Sequence, residues 1–536
     1  MVSAQSAGLT DYPNRGVYMN TEKTLLFVIM LGFNAVAQVD SSSMVFSEDQ
    51  VYTYKFSFYT PDWADSLEYY KSLPDEPYMP GKMVFYNQKG DTIRLDSIGI
   101  RYKGNSSYQL AANSPKKPLK VRFDKYSKKR RFFGMERLNF SNVAMDPSFM
   151  REKISYDIAR TYMPAPRTAY ANIYLEEILI GLYVQIEQVD KIFLGRYFED
   201  DDGNLYKAAD NGGALVYRGL DQSGYEAEYT LETNEKKNDW SAFINLIHII
   251  NNTPSAEFAA TAGTCLDLHN CARHLAFTMV LSHFDSYTGS GRNFYFYHDR
   301  LSGKFSIIPW DLNLSFGGHT NNWDVISCDI VNISNLEDRP LNKKIVENDY
   351  LKSVYLQYVE EMINGPASYD SVSAAAARIK PLIEAHVKAD PNKFYSDSAF
   401  EANIENDLQF RNGPLVTRIP GLKSFTEART AVIRNQLKQY SQNASRPIKP
   451  ELRNKISSIR STEKGITISY YLSNASPVWI NLYSMQGKQI KSLYVGKCLS
   501  GKHNIFISRN SLPTGLFTLT VKTDQENRSI PALILR

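Results

Sequence analysis

Three oxygen-bearing side chains stand close together in the middle of this 536-residue chain: Asp285, Asn293 and Asp311. Asp285 ends an apolar stretch in "LSHFDSYTGSGRN", Asn293 stands just before "FYFYHD", and Asp311 follows "FSIIPW". A carboxylate in a loop at a helix end can orient and deprotonate a hydroxyl. An amide oxygen and a second carboxylate at strand ends suit Mg²⁺, which takes one or two protein oxygens and fills its other positions with phosphate and water. The chemistry such a trio points to is phosphoryl transfer.

Singly, each residue has a plainer explanation. Asp285 can terminate its helix, Asn293 can fill a turn after Gly289 and Gly291, and Asp311 can bond within the Gly317–Gly318 loop. The order of the three, with a hairpin between the second and third, favours the chemical reading. The histidines offer no rival site: His269 and His274 are not at i, i+4 spacing, and His248 reads as a helix residue. There is no G-x-S-x-G elbow and no catalytic cysteine signature.

A basic region lies upstream. In "DSIGIRYKGNSS", Ile98, Ile100 and Tyr102 alternate with Gly99, Arg101 and Lys103, and the strand runs into Gly104, Asn105, Ser106 and Ser107. In "KKPLKVRFDK", which holds Lys117, Leu119, Val121 and Phe123 alternate with Lys120, Arg122 and Asp124. From Arg101 to Arg137 there are twelve Lys or Arg and two Asp or Glu. Two such strands present cations beside a small-residue loop, and phosphates need donors at close range backed by charge. A solvated face is the commonest meaning of a charge run, and "GNSS" is neither a Walker A loop nor a kinase glycine loop.

The elements that must hold these groups read as α+β. Residues 51–123 are strand-rich, in keeping with 35 tyrosines and 27 phenylalanines. A helix is predicted over 146–162, with Asp146 as cap and Pro147 in the first turn. A hairpin follows in "TAYANIYLEEILIGLYVQIEQVD", and helices over 239–251, 265–284 and most of 343–443. Residues 51–443 form the main domain, 444–455 a polar, proline-containing linker, and 456–536 a small all-β immunoglobulin-like sandwich of short alternating strands.

The beginning of the chain carries an address. Lys23, the apolar run Leu25–Phe33, and Ala35 and Ala37 at A-x-A spacing describe a secretory signal peptide. Residues 1–37 are read as an upstream extension and signal peptide, with the start at Met19 and cleavage after Ala37, and 38–50 as a flexible lead-in. The apolar run is too short to cross a bilayer, and no later stretch is apolar enough, so no transmembrane segment is expected. The net charge of +4 argues against a dedicated nucleic-acid binder. Cys265, Cys271, Cys328 and Cys498 form no zinc spacing; Cys265 and Cys271 either pair or stay as buried thiols.

Helix, acidic loop, Asn, hairpin and Asp is also the order in which protein kinases set a base and two metal ligands around ATP. The blocks "IRYKGNSS", "KKPLKVRF", "LNFSNVAMDPSFMREKISYDI", "IYLEEILIGLYVQIEQVDKIFL", "LYKA", "RNFYFY", "GKFSIIPWDLNLSFGG" and "PGLKSFTEARTAVIRNQL" resemble the spore coat protein H (CotH) kinase family over roughly residues 50–440. The resemblance implies an atypical protein-kinase-like fold that transfers the γ-phosphate of ATP to Ser or Thr of proteins with Mg²⁺ or Mn²⁺. It implies Asp285 as catalytic residue and Asp311 and Asn293 as metal ligands. Lys103, Lys117 and Lys120, with the loop Gly104, Asn105, Ser106 and Ser107, are its nucleotide-binding candidates. Glu152 and Glu187 are both candidates for orienting the lysine.

Two positions depart from the family pattern: Arg292 where His is usual, and Asn313 where many members carry a second Asp. The C-terminal strands, in "WINLYSMQGKQIKSL" and "LPTGLFTLTV", resemble the type IX (Por) secretion sorting domain. That resemblance implies export through the periplasm of a Gram-negative bacterium by the type IX machinery, to a secreted or outer-surface location, with an exported or surface protein as substrate. The alternatives are a non-catalytic adhesion or envelope-assembly protein and a nucleotidyl transferase.

Overall fold

The computed structural model describes residues 41–443, apart from 88–89, 199 and 413–414, and the strands of residues 455–534 with some of their turns. The expected signal peptide and linker lie outside the described residues. The chain divides into two units, one of residues 40–450 and one holding the C-terminal strands.

The first unit begins with a closed barrel. Its strands are β1 (Val51–Phe58), β2 (Met79–Tyr86), β3 (Thr92–Tyr102), β4 (Leu119–Arg122), β5 (Arg137–Ser141), β6 (Thr168–Leu175) and β7 (Ile178–Glu187), in the order β1-β2-β3-β4-β5-β7-β6. Neighbours are antiparallel except β1 and β6, which close the barrel in parallel. The alternation seen in the sequence decides the faces. Ile98, Ile100, Leu119 and Val121 join Tyr52, Tyr54, Phe56, Phe85 and Phe140 in one buried core. Arg101 and Lys120 turn to the other side of the wall, as the period of two requires.

A second sheet follows, built from β8 (Asn204–Ala208), β9 (Tyr229–Leu231), β10 (Phe294–Asp299) and β11 (Lys304–Pro309) in the order β11-β10-β8-β9. The helix Leu268–Val280, capped by Asp267, which accepts the Asn270 N–H at 3.0 Å, is buried along almost all of its length. The C-terminal part of the unit holds the helices Pro340–Glu347, Asp349–Asn364, Tyr369–Ala389, Asp397–Glu405 and Leu422–Asn443. They are interrupted by the hairpin of β12 (Leu408–Asn412) and β13 (Leu415–Ile419), which the helical expectation for 343–443 did not include.

Two further expectations change, and one open alternative is decided. The helix predicted over 146–162 is Arg151–Tyr162. Phe149 has φ of 59°, which no right-handed helix tolerates, and Asp146 caps from outside by accepting the N–H of Ser148 at 2.9 Å and of Arg151 at 2.8 Å. Residues 41–50, read as a flexible lead-in, pack on the unit: Ser42 and Val45 are buried, and the Val45 carbonyl accepts from Gln185. Cys265, Cys271 and Cys328 are free thiols, which decides between the two readings of the first pair.

One buried ion pair ties the barrel to the helices. Lys116 Nζ donates to Asp390 Oδ2 at 2.5 Å, with both side chains fully buried. Burial pulls the Lys116 pKa down to about 8, against the pull of Asp390. Gly181 makes the approach possible, because a Cβ there would sit 2.4 Å from the Asp390 carboxylate. In the C-terminal unit, strands Lys455–Ser461, Gly465–Leu472 and Gly501–Ser508 form one sheet, and Ser476–Ser484, Gln489–Cys498, Gly515–Lys522 and Asn527–Ile534 another. Ile466, Ile468 and Tyr470 of the first share a core with Val478, Ile480 and Leu482 of the second.

Candidate functional site

The antiparallel register of β10 and β11 explains why residues far apart in sequence meet. Phe294 pairs with Pro309, and Trp310 N–H donates to the Asn293 carbonyl at 3.0 Å. Asn293 and Asp311 therefore leave the hairpin at the same end. Both sit in the left-handed region, with φ of 58° and 51°. Asn and Asp are the non-glycine residues that visit that region most often, so both side chains are aimed by a backbone their types tolerate.

Asp285 enters from the loop after the helix Leu268–Val280. The Asn293 side-chain amide donates to the Asp285 carbonyl at 2.8 Å and to its Oδ2 at 2.9 Å, and Ser290 Oγ donates to Oδ1 at 2.8 Å. With its nitrogen so engaged, Asn293 has its amide oxygen left for another partner. The Asp311 carboxylate takes no hydrogen bond among the described residues. Its backbone N–H is fixed by the Tyr156 hydroxyl at 3.0 Å.

Tyr156 lies one turn after Glu152 on the helix Arg151–Tyr162, so the two face the same way. Glu152 is buried, and among the described residues no donor meets either carboxylate oxygen with hydrogen-bond geometry. Burial, then the charge of Asp311, push its carboxyl up to about 8, and Ser141 and Lys103 offset only part of this. Lys103, at the exit of β3, is the matching cation. Burial lowers its pKa, and Asp311 and Glu152 are the groups that pull it back up. Burial raises the Asp311 carboxyl, and Lys103 opposes that. Lys103 has no ion pair within 4.0 Å among the described residues, and its ammonium lies 5.4 Å from the Trp310 ring centre.

Lys103, Asp285, Asn293, Trp310 and Asp311 line one cleft together with Gly104, Asn105, Ser106, Ser107 and Lys120, whereas Glu152 and Tyr156 are not among its lining residues. Gly104 has φ of 77°, and a Cβ there would meet Ser107 Oγ at 2.8 Å, so the turn requires glycine. Asn105 reaches across the mouth to hydrogen-bond Asp210. Arg292 and Asn313, the two departures, also line the cleft.

Two candidates lie elsewhere. Lys117 is not among the lining residues; its ammonium donates to the Ala112 carbonyl at 3.1 Å and lies 3.5 Å from Glu68. Glu187 pairs with Arg167 at 2.9 Å and with Arg196, not with a lysine, so of the two glutamates only Glu152 stands beside Lys103. Lys207, which no spacing or charge pattern singles out, enters from β8, and its charge is felt by both Lys103 and Asp311. Its signal was present in the block "LYKA", but only the β8–β10 pairing, with Lys207 opposite Tyr295, brings it into the cleft.

The donor set suits a hard cation. Two carboxylates and a free amide oxygen face the cleft, which matches the oxygen ligands of Mg²⁺ or Mn²⁺ when phosphates complete the sphere. The cluster of three carboxylates close enough to share an ion, Asp200, Asp201 and Asp202, lies outside this cleft.

Residues 100–433 match a family described as CotH kinase protein. The inner spore coat protein H of Bacillus subtilis (strain 168) is 24% identical over 347 residues, covering 62% of this chain and 88% of the relative. The matched span contains every cleft residue named above from Arg101 to Asn313.

Proposed function

The chain belongs to the CotH kinase protein family, and from that premise we propose that it is an exported atypical protein kinase. It transfers the γ-phosphate of ATP to a Ser or Thr hydroxyl of a secreted or surface protein. The observation that carries this reading is that Lys103, Asp311 and the hydrogen-bonded pair Asp285–Asn293 line one cleft, with the charge of Glu152 felt by Lys103.

Asp311 and the Asn293 amide oxygen are the residues that would hold a divalent cation, which supplies charge neutralisation at the phosphates. Lys103 takes up phosphate charge from the barrel side, and the Gly104–Ser107 turn brings backbone and hydroxyl donors close. Asp285 accepts the proton of the attacking hydroxyl, its orientation set by Ser290 and Asn293. Phosphoryl transfer asks little more of a protein than positioning and electrostatic stabilisation, so this set is sufficient.

The spore-coat name of the relative and the A-x-A signal support action outside the cytoplasm. The C-terminal strands fit a type IX sorting domain, with the corresponding machinery as transient partner. The direct test is incubation of the full chain with γ- or α-labelled ATP and Mg²⁺ or Mn²⁺, beside Asp311→Ala. γ-Label on protein that the variant loses supports the kinase. α-Label on protein makes it a nucleotidyl transferase, and no label with either makes it a non-catalytic scaffold.

A further inference from the structure

The helix Arg151–Tyr162 has one side that serves the cleft. Glu152 acts there on Lys103, and the Tyr156 hydroxyl holds the Asp311 N–H. One position further round, Lys153, Asp157 and Arg160 recur at i, i+4 and i+7 and form a second stripe. Lys153 Nζ lies 2.6 Å from Asp157 Oδ2, and Arg160 binds the other oxygen of the same carboxylate. Phosphoryl transfer uses none of these three charges.

The second stripe is gripped by residues 41–50, the segment read from sequence as a flexible lead-in. Glu48 Oε1 accepts from Lys153 Nζ at 3.1 Å and lies 3.5 Å from Arg160, and Oε2 accepts from Arg378 of the helix Tyr369–Ala389 at 2.9 Å. One carboxylate thus joins three cations on two helices. Burial alone would raise its carboxyl, but Lys153, Arg378 and Arg160 together hold it below its ordinary value. The segment is itself fastened to the barrel. Val45 and Phe46 belong to the barrel core, and the Tyr52 hydroxyl donates to the Met44 carbonyl at 2.8 Å and accepts the Ser47 N–H at 3.0 Å. Ser42 Oγ accepts from Arg167 at 2.6 Å and from Arg196 at 3.2 Å, the two arginines that hold Glu187 of β7. Lys103 stands on the barrel and Glu152 on the helix, so this strap ties together the two bodies whose spacing sets that pair.

We propose that Glu48 is a positioning residue. Through Lys153 and Arg160 it holds the helix Arg151–Tyr162 against the barrel, which keeps Glu152 within reach of the Lys103 charge and Tyr156 on the Asp311 N–H. The mechanical coupling stands on this geometry; only its effect on phosphate transfer rests on the kinase reading.

The test is amide hydrogen exchange of the full chain, read by mass spectrometry, in wild type, E48A and E48D. The Glu48 side chain is 45% exposed, and the buried Lys153 keeps Asp157, so E48A removes little packing and strands no charge. In E48A, exchange should quicken about fivefold across residues 151–162 and across 310–316, with β2 and β3 unchanged, as expected from losing a small network of partly exposed ion pairs. E48D keeps the carboxylate one methylene short and should show the same pattern at smaller size. It decides the matter by itself if E48A does not fold. A merely structural Glu48 would loosen residues 41–50 alone, or all the strands alike.

The proposal is overturned if residues 151–162 and 310–316 of E48A exchange as in wild type, or if β2 and β3 loosen by as much. In the γ-label assay at saturating ATP, E48A should incorporate label at least about fivefold more slowly than wild type, with E48D between. E48A as fast as wild type would also overturn it. If wild type transfers no label while E48A still loosens the helix and the Asp311 segment, the kinase reading fails and the positioning by Glu48 stands. If wild type transfers label and the exchange pattern is unmoved, the positioning fails and the kinase reading stands.

Discussion

Asn293 binds Asp285 twice, through its carbonyl at 2.8 Å and its carboxylate Oδ2 at 2.9 Å, while sitting at φ of 58°. One side chain thus fixes the base, presents an amide oxygen to the cleft, and tolerates a backbone that most residues avoid. These duties separate by mutation. Asn293→Gly keeps the backbone and should unfold within about 1 kcal/mol of wild type, whereas Asn293→Ala should lose roughly 1–2 kcal/mol. Both should lose γ-phosphate transfer, on the order of a hundredfold. Equal activity of Asn293→Gly and wild type would remove Asn293 from the site.

Glu152 gives a stability signature with a defined sign. Its folded pKa of about 8 lies above its ordinary value of 4.5, so between these values the folded chain holds a proton that the unfolded chain releases. Stability therefore falls as pH rises through that window, by roughly 1.4 kcal/mol per pH unit at its steepest. Glu152→Gln, which stays neutral, should gain in thermal midpoint over wild type between pH 5 and pH 8. A constant gap across that range would mean that Glu152 is charged throughout.

The Lys116–Asp390 pair should behave as buried pairs do when halved. Lys116→Met leaves Asp390 buried without its cation and should cost about 3–5 kcal/mol in chemical denaturation. The double variant Lys116→Met/Asp390→Asn should recover most of that loss. If the double variant were no better than the single, the pair would contribute through packing alone.

Asn313 lines the cleft two residues beyond Asp311. Asn313→Asp adds a carboxylate there and should tighten Mn²⁺ binding in the presence of nucleotide, about tenfold by titration, since hard cations gain from each added anionic oxygen. An unchanged Mn²⁺ affinity would place the ion out of reach of residue 313.

Much of the site was legible because strand alternation and hairpin order are local. The faces of Arg101, Lys103 and Lys120 follow from a period of two, and "NFYFY…FSIIPWD" suffices to bring Asn293 and Asp311 to one hairpin end. What the sequence left open depends on tertiary pairing. Glu152 and Glu187 were equivalent until the helix Arg151–Tyr162 turned one toward Lys103 and β7 carried the other to Arg167 and Arg196. Lys117 and Lys120 stand three residues apart, but only the β4 register sends Lys120 to the cleft. The reversed backbone at Phe149, which delayed the helix start, left no trace in its apolar spacing.

The parallel seam of the barrel sets an order of assembly. Val51 pairs with Tyr170, and Phe56 with Leu175, so β1 has no permanent neighbour on that side until β6 has also been made. Contacts so distant in sequence are slow to form. Refolding should show a late phase in which the seam zips shut, and until then the wall carrying Lys103 and Lys120 has no fixed curvature. On this order, the cleft should reach its final shape only once the seam has closed.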